Sequence, residues 1–257
     1  MIKYYQIIYQ HFYAFLRIKK GCCKLKALKK FFGFVFLIII AAAVIVGWAG
    51  YSKYASALKE KPLDSAVSEI KSIKNYTVLD DIPQMYTDSV IAAEDRRFYY
   101  HNGFDVIGTA RAIITDIKTQ KLAEGGSTIT QQLAKNMYFQ KDNSPTRKIA
   151  EIFMALRIER EYSKNEILEL YVNGIYYGSG YYCLYDASEG YFGKAPWDMN
   201  DYEATLLAGI PNAPSAYSLK VSPELAEKRQ SKIISSLIEC GYITNEQGKD
   251  ILNEKDR

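Results

Sequence analysis

Residues Phe31 to Tyr51, FFGFVFLIIIAAAVIVGWAGY, contain no charged side chain. As a helix this run is about long enough to cross the hydrocarbon core of a bilayer. Lys24, Lys26, Lys29 and Lys30 stand just before it, and Trp48 and Tyr51 close it, where the aromatic belt of a spanning helix lies. The chain must present this run to lipid or bury it in a core, and the sharp basic flank favours lipid. A cleaved signal peptide is the alternative. The run is long for one and has no clear small-x-small cleavage site, so a retained anchor is expected. The positive-inside rule then puts the N-terminus in the cytoplasm and residues 52–257 on the outer face.

Charge supports the same division. The chain has a formal net charge of +4, yet residues 1–30 hold eight Lys or Arg and no acid. The remainder therefore carries 25 basic against 29 acidic residues, a net −4, which argues against a nucleic-acid binder. The basic and aromatic residues 1–20 suit an interfacial helix on the inner leaflet, and His11 within them reads as incidental. Cys22 and Cys23 are adjacent on the reducing side. Cys183 and Cys240 fall outside, where a disulfide and two unpaired buried thiols are both open.

Beyond the anchor, helical patterning dominates. Residues 52–75 read as a stalk or a first packing helix, and Tyr76 to Tyr86 as a short extended piece broken at Pro83. AAEDRRFYYHNGFD, Ala92 to Asp105, gathers Glu94, Asp95, Arg96, Arg97 and His101 within about three helical turns. DSVIAAEDRRF reads as a helix with Glu94 at the end of its apolar run, and HNG as its stop. An ordinary solvated helix end has the same appearance; the later segments separate the two readings. Val106 to Gln120 has helical periodicity. In EGGSTITQQLAKNMYF, Glu124 to Phe139, Gly125-Gly126 forms a turn and Ser127 or Thr128 an N-cap. Thr128, Gln131, Gln132 and Lys135 then share one helix face, a mixture of hydroxyl, amides and ammonium suited to an anionic or sugar ligand.

Arg147, Lys148 and Glu151 open a further helix, and Ser163 with Glu166 forms a capping box at the start of the next. Glu169 and Asn173 sit among core positions and read as structural. A short helix through DASEGYF, a helix through Ala204–Ala208 and two terminal helices complete the chain. With no repeat and no convincing strand pattern, the expected fold is mostly α.

The chemistry follows from residue types. Two separated carboxylates, Glu94 and Glu151, suit glycosidic chemistry. Lys135, Arg147 and Lys148 suit a phosphate-bearing leaving group, whose charge they would stabilise as it develops. A hydrolase needs only the acids, whereas a glycosyl transferase acting on a sugar diphosphate needs both sets. P-loop and zinc spacings are absent from the sequence.

EDRRFYYHNGFD, GGSTITQQLAKN, RKIAE, KNEILELYVNGIYYG and ATLLAGIPNAPSAYSL, in that order, resemble the five motifs of the peptidoglycan glycosyltransferases, glycosyltransferase family 51. These enzymes form the N-terminal module of class A penicillin-binding proteins and also occur as monofunctional enzymes with one membrane helix. The resemblance covers roughly residues 70–225, and the absence of a transpeptidase-sized segment makes this chain similar to the monofunctional form. It implies a lysozyme-like domain with a small membrane-associated jaw, plus one N-terminal transmembrane helix. The corresponding division is a tail at 1–30, a transmembrane helix at 31–51, a stalk or linker at 52–75, a catalytic domain at 76–225 and its C-terminal helices at 226–257.

The implied reaction is attack of the GlcNAc 4-hydroxyl of lipid II on C1 of the MurNAc of a growing, undecaprenyl-pyrophosphate-linked glycan. It inverts the anomeric centre and releases undecaprenyl pyrophosphate. By the resemblance Glu94 is the general base. Glu151 is the second carboxylate, which steadies the leaving diphosphate through a cation or orients the sugar. Asp95, Phe98 and His101 complete the first motif. Ser127, Thr128, Gln131, Gln132, Lys135 and Asn136 line the donor and acceptor cleft, Lys135 near the pyrophosphate, while Arg147 and Lys148 hold the donor diphosphate. A divalent cation, Mg²⁺, is implied as a cofactor reached through that diphosphate and Glu151, not as a protein-only site. The implied partners are lipid II, the growing glycan, membrane lipids and the transpeptidases of the cell-wall machinery, with no nucleic acid. The implied location is the cell membrane. Two positions depart from the pattern. Asn143-Ser144-Pro145 stands where a further arginine is expected, and Cys183 stands where a glycine is expected. The rival readings are a glycan-cleaving hydrolase of the same fold and a non-catalytic scaffold.

Overall fold

The computed structural model describes residues 2–119 and 126–254, with side chains from Lys30 onward except at 113, 116, 117 and 119. Gln120, Glu124 and Gly125, which figure in the expected helix and turn, lie outside the described residues. Among the described residues all regular structure is helical. By packing, the chain divides into residues 1–49 and 50–257.

In the first unit, helix α1 (Ile2–Glu60) carries the apolar run. Phe31, Phe34, Leu37, Ile45 and Trp48 are all exposed along it. This is one helix long and apolar enough to cross a membrane.

In the second unit α1 continues from Gly50 to Glu60 and stops before Pro62, which cannot extend a helix in that position. Helix α2 (Leu63–Lys71) buries Leu63, Ala66, Val67 and Ile70, the i, i+3, i+4, i+7 stripe of a packing helix. Residues 52–75 are thus helical and packed for much of their length. The piece from Tyr76 to Tyr86, expected to be extended, contains a 3₁₀ turn at Leu79–Asp81, and Pro83 leads into helix α3 (Gln84–Glu94). There follow α4 (Val106–Thr119), α5 (Ile129–Ala134) with a π-helical turn over Lys135–Phe139, α6 (Arg147–Glu161) and α7 (Lys164–Gly174). The chain ends through α8 (Leu184–Phe192), α9 (Asp201–Gly209), α10 (Pro214–Tyr217), α11 (Pro223–Glu239) and α12 (Asn245–Asn253). One core unites them. α3 packs against α9 and α11, and α5 against α6 and α7.

Local sequence explains most boundaries. Capping boxes start four helices, at Thr128/Gln131, Ser163/Glu166, Asn200/Glu203 and Thr244/Gln247. Glu169 accepts from the Tyr76 hydroxyl at 2.6 Å and the Leu79 N–H at 2.7 Å, and Asn173 exchanges bonds with the Thr77 backbone, so both are structural as expected.

Two further expectations are corrected, and the open question of the two outer cysteines is answered. The helix through DSVIAAEDRRF ends at Glu94, because Asp95 turns out of it at φ −156°, ψ 74° to carry its carboxylate to the start of α5. A 3₁₀ turn, Phe98–Tyr100, follows. Cys183 needs no glycine, since its φ of −141° is extended, and its sulfur caps α8 by accepting the Asp186 N–H. Cys183 and Cys240 are both free thiols; Cys183 is buried, with its thiol pushed up to about 11 by that burial, but Cys240 is exposed.

Candidate active site

Glu94 ends α3 with a side chain only 8% exposed. Its Oε2 accepts from Gln132 Nε2 at 2.9 Å, and its Oε1 accepts from Arg229 Nη2 at 3.1 Å. Gln132 is itself held, because its Oε1 accepts from the Tyr171 hydroxyl at 3.2 Å. Burial and the Glu94 charge push the Tyr171 phenol well above its ordinary range, so it stays a donor. The carboxylate at the end of α3 is thus held directly from α5 and α11 and, through Gln132, from α7. That carboxylate borders a cleft of about 290 Å³, whose other charged and polar walls include Arg96, Arg111, Ser127, Arg229 and Lys232.

Asp95 works in the opposite direction, into the protein. Its carboxylate accepts from the Ile129 N–H at 3.1 Å, at the start of α5, and faces His101 Nε2 at 2.9 Å. His101 Nδ1 accepts the Gly103 N–H at 3.2 Å, which leaves the ring proton on Nε2 as a donor to Asp95. Gly103 is needed where it stands: φ is +87°, and a Cβ there would lie 2.9 Å from the Ala155 carbonyl oxygen on α6. Its own carbonyl accepts the Thr128 hydroxyl at 2.8 Å. Phe98 is wholly buried, with the Lys164 ammonium 4.4 Å from its ring centre. Asp95, Phe98 and His101 thus build the wall behind the cleft.

The second carboxylate is enclosed. Glu151 on α6 has a side chain 2% exposed, with Arg147 Nε 2.9 Å from Oε1 and Lys148 Nζ 3.0 Å from Oε2. The Arg147 Nε–H is not aligned on Oε1, so that contact is one of charge. Arg147 Nη1 donates to the Asp142 carbonyl at 2.8 Å, and Lys148 Nζ donates to Ser127 Oγ at 2.5 Å, which joins the Glu151 clamp to the cleft wall. Lys135 and Asn136 lie half-buried in the π-helical turn that follows α5, a local geometry that often marks functional sites. The Lys135 backbone N–H bonds to the Gln131 and Gln132 carbonyls, while its side chain forms no hydrogen bond or ion pair with another described residue.

The face shared by Thr128, Gln131, Gln132 and Lys135 is divided in use. Thr128 and Gln131 satisfy each other in the capping box, with Gln131 fully buried. Gln132 turns to Glu94. Arg229, 135 residues from Glu94, escapes any local reading. A signal does exist: Ala226, Ile233 and Leu237 form the buried stripe of α11, and Arg229 occupies a position within its period. No three His, Cys, Asp or Glu among the described residues converge to hold a metal, and Glu151 already faces two cations. The described residues do not build a resident metal site.

A helical domain with Glu94 bordering a cleft and a second glutamate beneath a cationic pair has the parts of a glycosyl-transferring enzyme. Comparison with known proteins identifies the group. A family profile described as "Transglycosylase" matches residues 61–238. Penicillin-binding protein 1A of Neisseria flavescens is 46% identical over 182 residues, 71% of this chain and 23% of that protein. Penicillin-binding protein 1A of Aquifex aeolicus is 41% identical over 179 residues, 70% of this chain and 25% of that protein. The protein of the same name from Neisseria gonorrhoeae is 40% identical over 237 residues, 88% of this chain and 30% of that protein. This chain therefore spans between 23% and 30% of the length of these relatives. It belongs to the transglycosylase family, the peptidoglycan glycosyltransferases of glycosyltransferase family 51.

Proposed function

We propose that the protein polymerises peptidoglycan glycan strands, moving a growing lipid-diphosphate-linked glycan onto lipid II. The observation that carries this reading is Glu94, fixed by Gln132 and Arg229 at the edge of the cleft. Glu94 takes the proton of the GlcNAc 4-hydroxyl as its oxygen bonds to C1 of the donor MurNAc. The bond from C1 to the diphosphate breaks on the opposite face, so the centre inverts. Lys135, Arg147 and Lys148 stabilise the charge that gathers on the departing undecaprenyl pyrophosphate. Glu151 holds Arg147 and Lys148 in place. Ser127 and Asn136 contact the sugars, and Asp95, Phe98, His101, Thr128 and Gln131 keep the cleft in shape.

A Mg²⁺ ion would accompany the substrate diphosphate, and no step above depends on it. The domain sits on the outer face of the cell membrane with the N-terminus in the cytoplasm. The exposed Tyr99, Tyr100, Val106, Ile107 and Ile114 support contact of its jaw with lipid. Lipid II, the nascent glycan, membrane lipids and cell-wall transpeptidases are the partners. The test is polymerisation of purified lipid II in detergent, with and without Mg²⁺, by wild type and Glu94→Gln. Long glycan from the wild type and a rate lower by about 10²–10⁴ in a folded variant are expected. A folded wild type that makes no polymer overturns the reading, and equal polymer from both removes Glu94 as the base.

A further inference from the structure

The second unit begins with the end of α1, and this segment is built into the diphosphate clamp. Gly50 is buried, and a Cβ on it would lie 2.4 Å from Ile149 Cγ2 on α6. The next residue, Tyr51, meets Phe153 edge-on, and Tyr54, one turn further, lies tilted against the same ring, with ring centres 5.4 and 5.9 Å away. Between these contacts Lys53 reaches the loop that precedes α6. Its ammonium pairs with the Asp142 carboxylate and donates to Ser144 Oγ at 2.8 Å. The same carboxylate accepts the Ser144 N–H at 2.7 Å, which folds the loop into a tight turn. The Asp142 carbonyl accepts Arg147 Nη1 at 2.8 Å, and the Ser144 carbonyl accepts the Arg147 N–H at 3.1 Å. Lys53 is thus one residue removed from the guanidinium that faces Glu151.

We propose that Lys53 is a positioning residue for the diphosphate clamp, acting through Asp142 on Arg147. The inference rests on the phosphate-binding role of Arg147 given above. Two properties recommend it. The Asp142 turn is half-exposed and follows a π-helical turn; the Phe139 carbonyl accepts the Asp142 N–H at 3.1 Å and the Thr146 hydroxyl lies 3.2 Å from Ser144 Oγ, but Lys53 is the cation that pairs with its carboxylate. A guanidinium that binds a diphosphate also has several rotamers, and removal of the Asp142 carbonyl from its place would release them. The cost would fall on the affinity for the diphosphate, since neither Lys53 nor Asp142 reaches the reacting carbon's base, Glu94. In this chain the stretch Asn143-Ser144-Pro145 has no cation of its own, and Lys53 delivers one to it.

The experiment uses the full chain in detergent and two readouts. Binding of undecaprenyl pyrophosphate is measured for wild type, Lys53→Ala, Lys53→Arg and Asp142→Asn, with undecaprenol as the uncharged comparison and Lys59→Ala as the control on the same helix. Lipid II polymerisation is measured on the same proteins. We expect Lys53→Ala and Asp142→Asn each to weaken diphosphate binding about 10-fold, the low end of what losing an outer support costs at metal sites. KM should rise by a similar factor at nearly constant kcat. Lys53→Arg should recover most of the affinity, Lys59→Ala should match the wild type, and undecaprenol binding should not change. Unchanged diphosphate affinity in Lys53→Ala, or a uniform loss of kcat with KM constant, overturns the proposal. If Lys53→Ala does not fold, Asp142→Asn and Lys53→Arg decide on the same criteria. A wild type that binds the diphosphate lipid but makes no polymer would overturn the polymerase reading and leave this one standing.

Discussion

Replacing Asp95 by Asn changes one atom pair and almost no volume, yet it should unfold the protein several degrees early. The carboxylate is 3% exposed and serves two donors, the Ile129 N–H at 3.1 Å and His101 Nε2 at 2.9 Å. An asparagine offers one oxygen and one NH₂ group. Both donors reach Oδ2, and His101 Nε2 also lies 3.1 Å from Oδ1; with the amide oxygen in the Oδ2 place the contact to Oδ1 is lost and the new NH₂ group is buried against the His101 N–H, and with the amide turned over the Ile129 N–H faces hydrogen instead. The histidine cannot escape by moving its proton to Nδ1, because that nitrogen already accepts the Gly103 N–H. The loss is then one hydrogen bond to a charged acceptor, about 1.5–3 kcal/mol, together with one stranded buried donor, about 1–3 kcal/mol. Taking about 3 kcal/mol near the low end of the sum, a domain of this size should lose about 6–12 °C in its thermal midpoint. Circular dichroism of the purified protein in detergent, heated with and without the substitution, reads this directly. A midpoint within about 2 °C of the wild type would show that the Asp95 bonds are replaced by water and do not hold the fold.

Two smaller effects should separate on the same melts. The Tyr177 hydroxyl donates to the Val172 carbonyl at 3.0 Å, so in its 2.7 Å contact with Tyr86 the Tyr86 hydroxyl is the donor. Tyr177→Phe strands that donor and the carbonyl and should cost about 1–3 kcal/mol, while Tyr86→Phe should cost about half as much; the reverse order in urea titrations would contradict the assignment. Asp142 gives a pH signature. The Lys53 ammonium, then the Ser144 N–H, hold its carboxyl down to about 2 from an ordinary 3.8. A carboxyl depressed on folding stabilises above its unfolded value and loses that contribution as pH falls through its folded value. The gap in thermal midpoint between wild type and Asp142→Asn should therefore be constant above about pH 5 and close between about pH 4 and pH 2. A gap that persists unchanged at about pH 2 would disprove the ionic role.

How far the sequence could be read depended on the distance over which each feature is decided. The helices and their caps are local matters. Ser163 and Glu166 are three residues apart, and their capping box formed as the pattern requires. The motif residues were legible because their order along the chain is itself a signal. What could not be read was how buried charges pair across helices. Arg229 looks like one more cation in a terminal helix until α11 is laid against α3, and only its place within the apolar stripe hinted otherwise. Gln131 looked like a cleft residue from its spacing, but the cap took its side chain inward. The helix through Glu94 was read too long because nothing in DRRF breaks a helix. The break comes from Asp95 bonding 34 residues away, a gain that exists only in the folded chain.

The surroundings of the two glutamates make their roles non-interchangeable. A general base must reach a substrate proton and have a lone pair free when it does. Glu94 meets one guanidinium and one amide, each on a different oxygen, and borders the cleft. Glu151 is 2% exposed, has a cation on each oxygen and does not border that cleft. To act on a sugar it would have to shed Arg147 or Lys148, leaving a buried carboxylate with less compensation, which is unfavourable by several kcal/mol. A pair of carboxylates working together across a glycosidic bond, as a hydrolase uses them, needs both on the substrate. Of the two glutamates only Glu94 borders the cleft, where Asp95 and Asp105 are engaged by His101 and Arg97, and Glu151 faces two cations. In the proposed reaction that asymmetry suits an anionic leaving group, whose charge the cations beside Glu151 would stabilise.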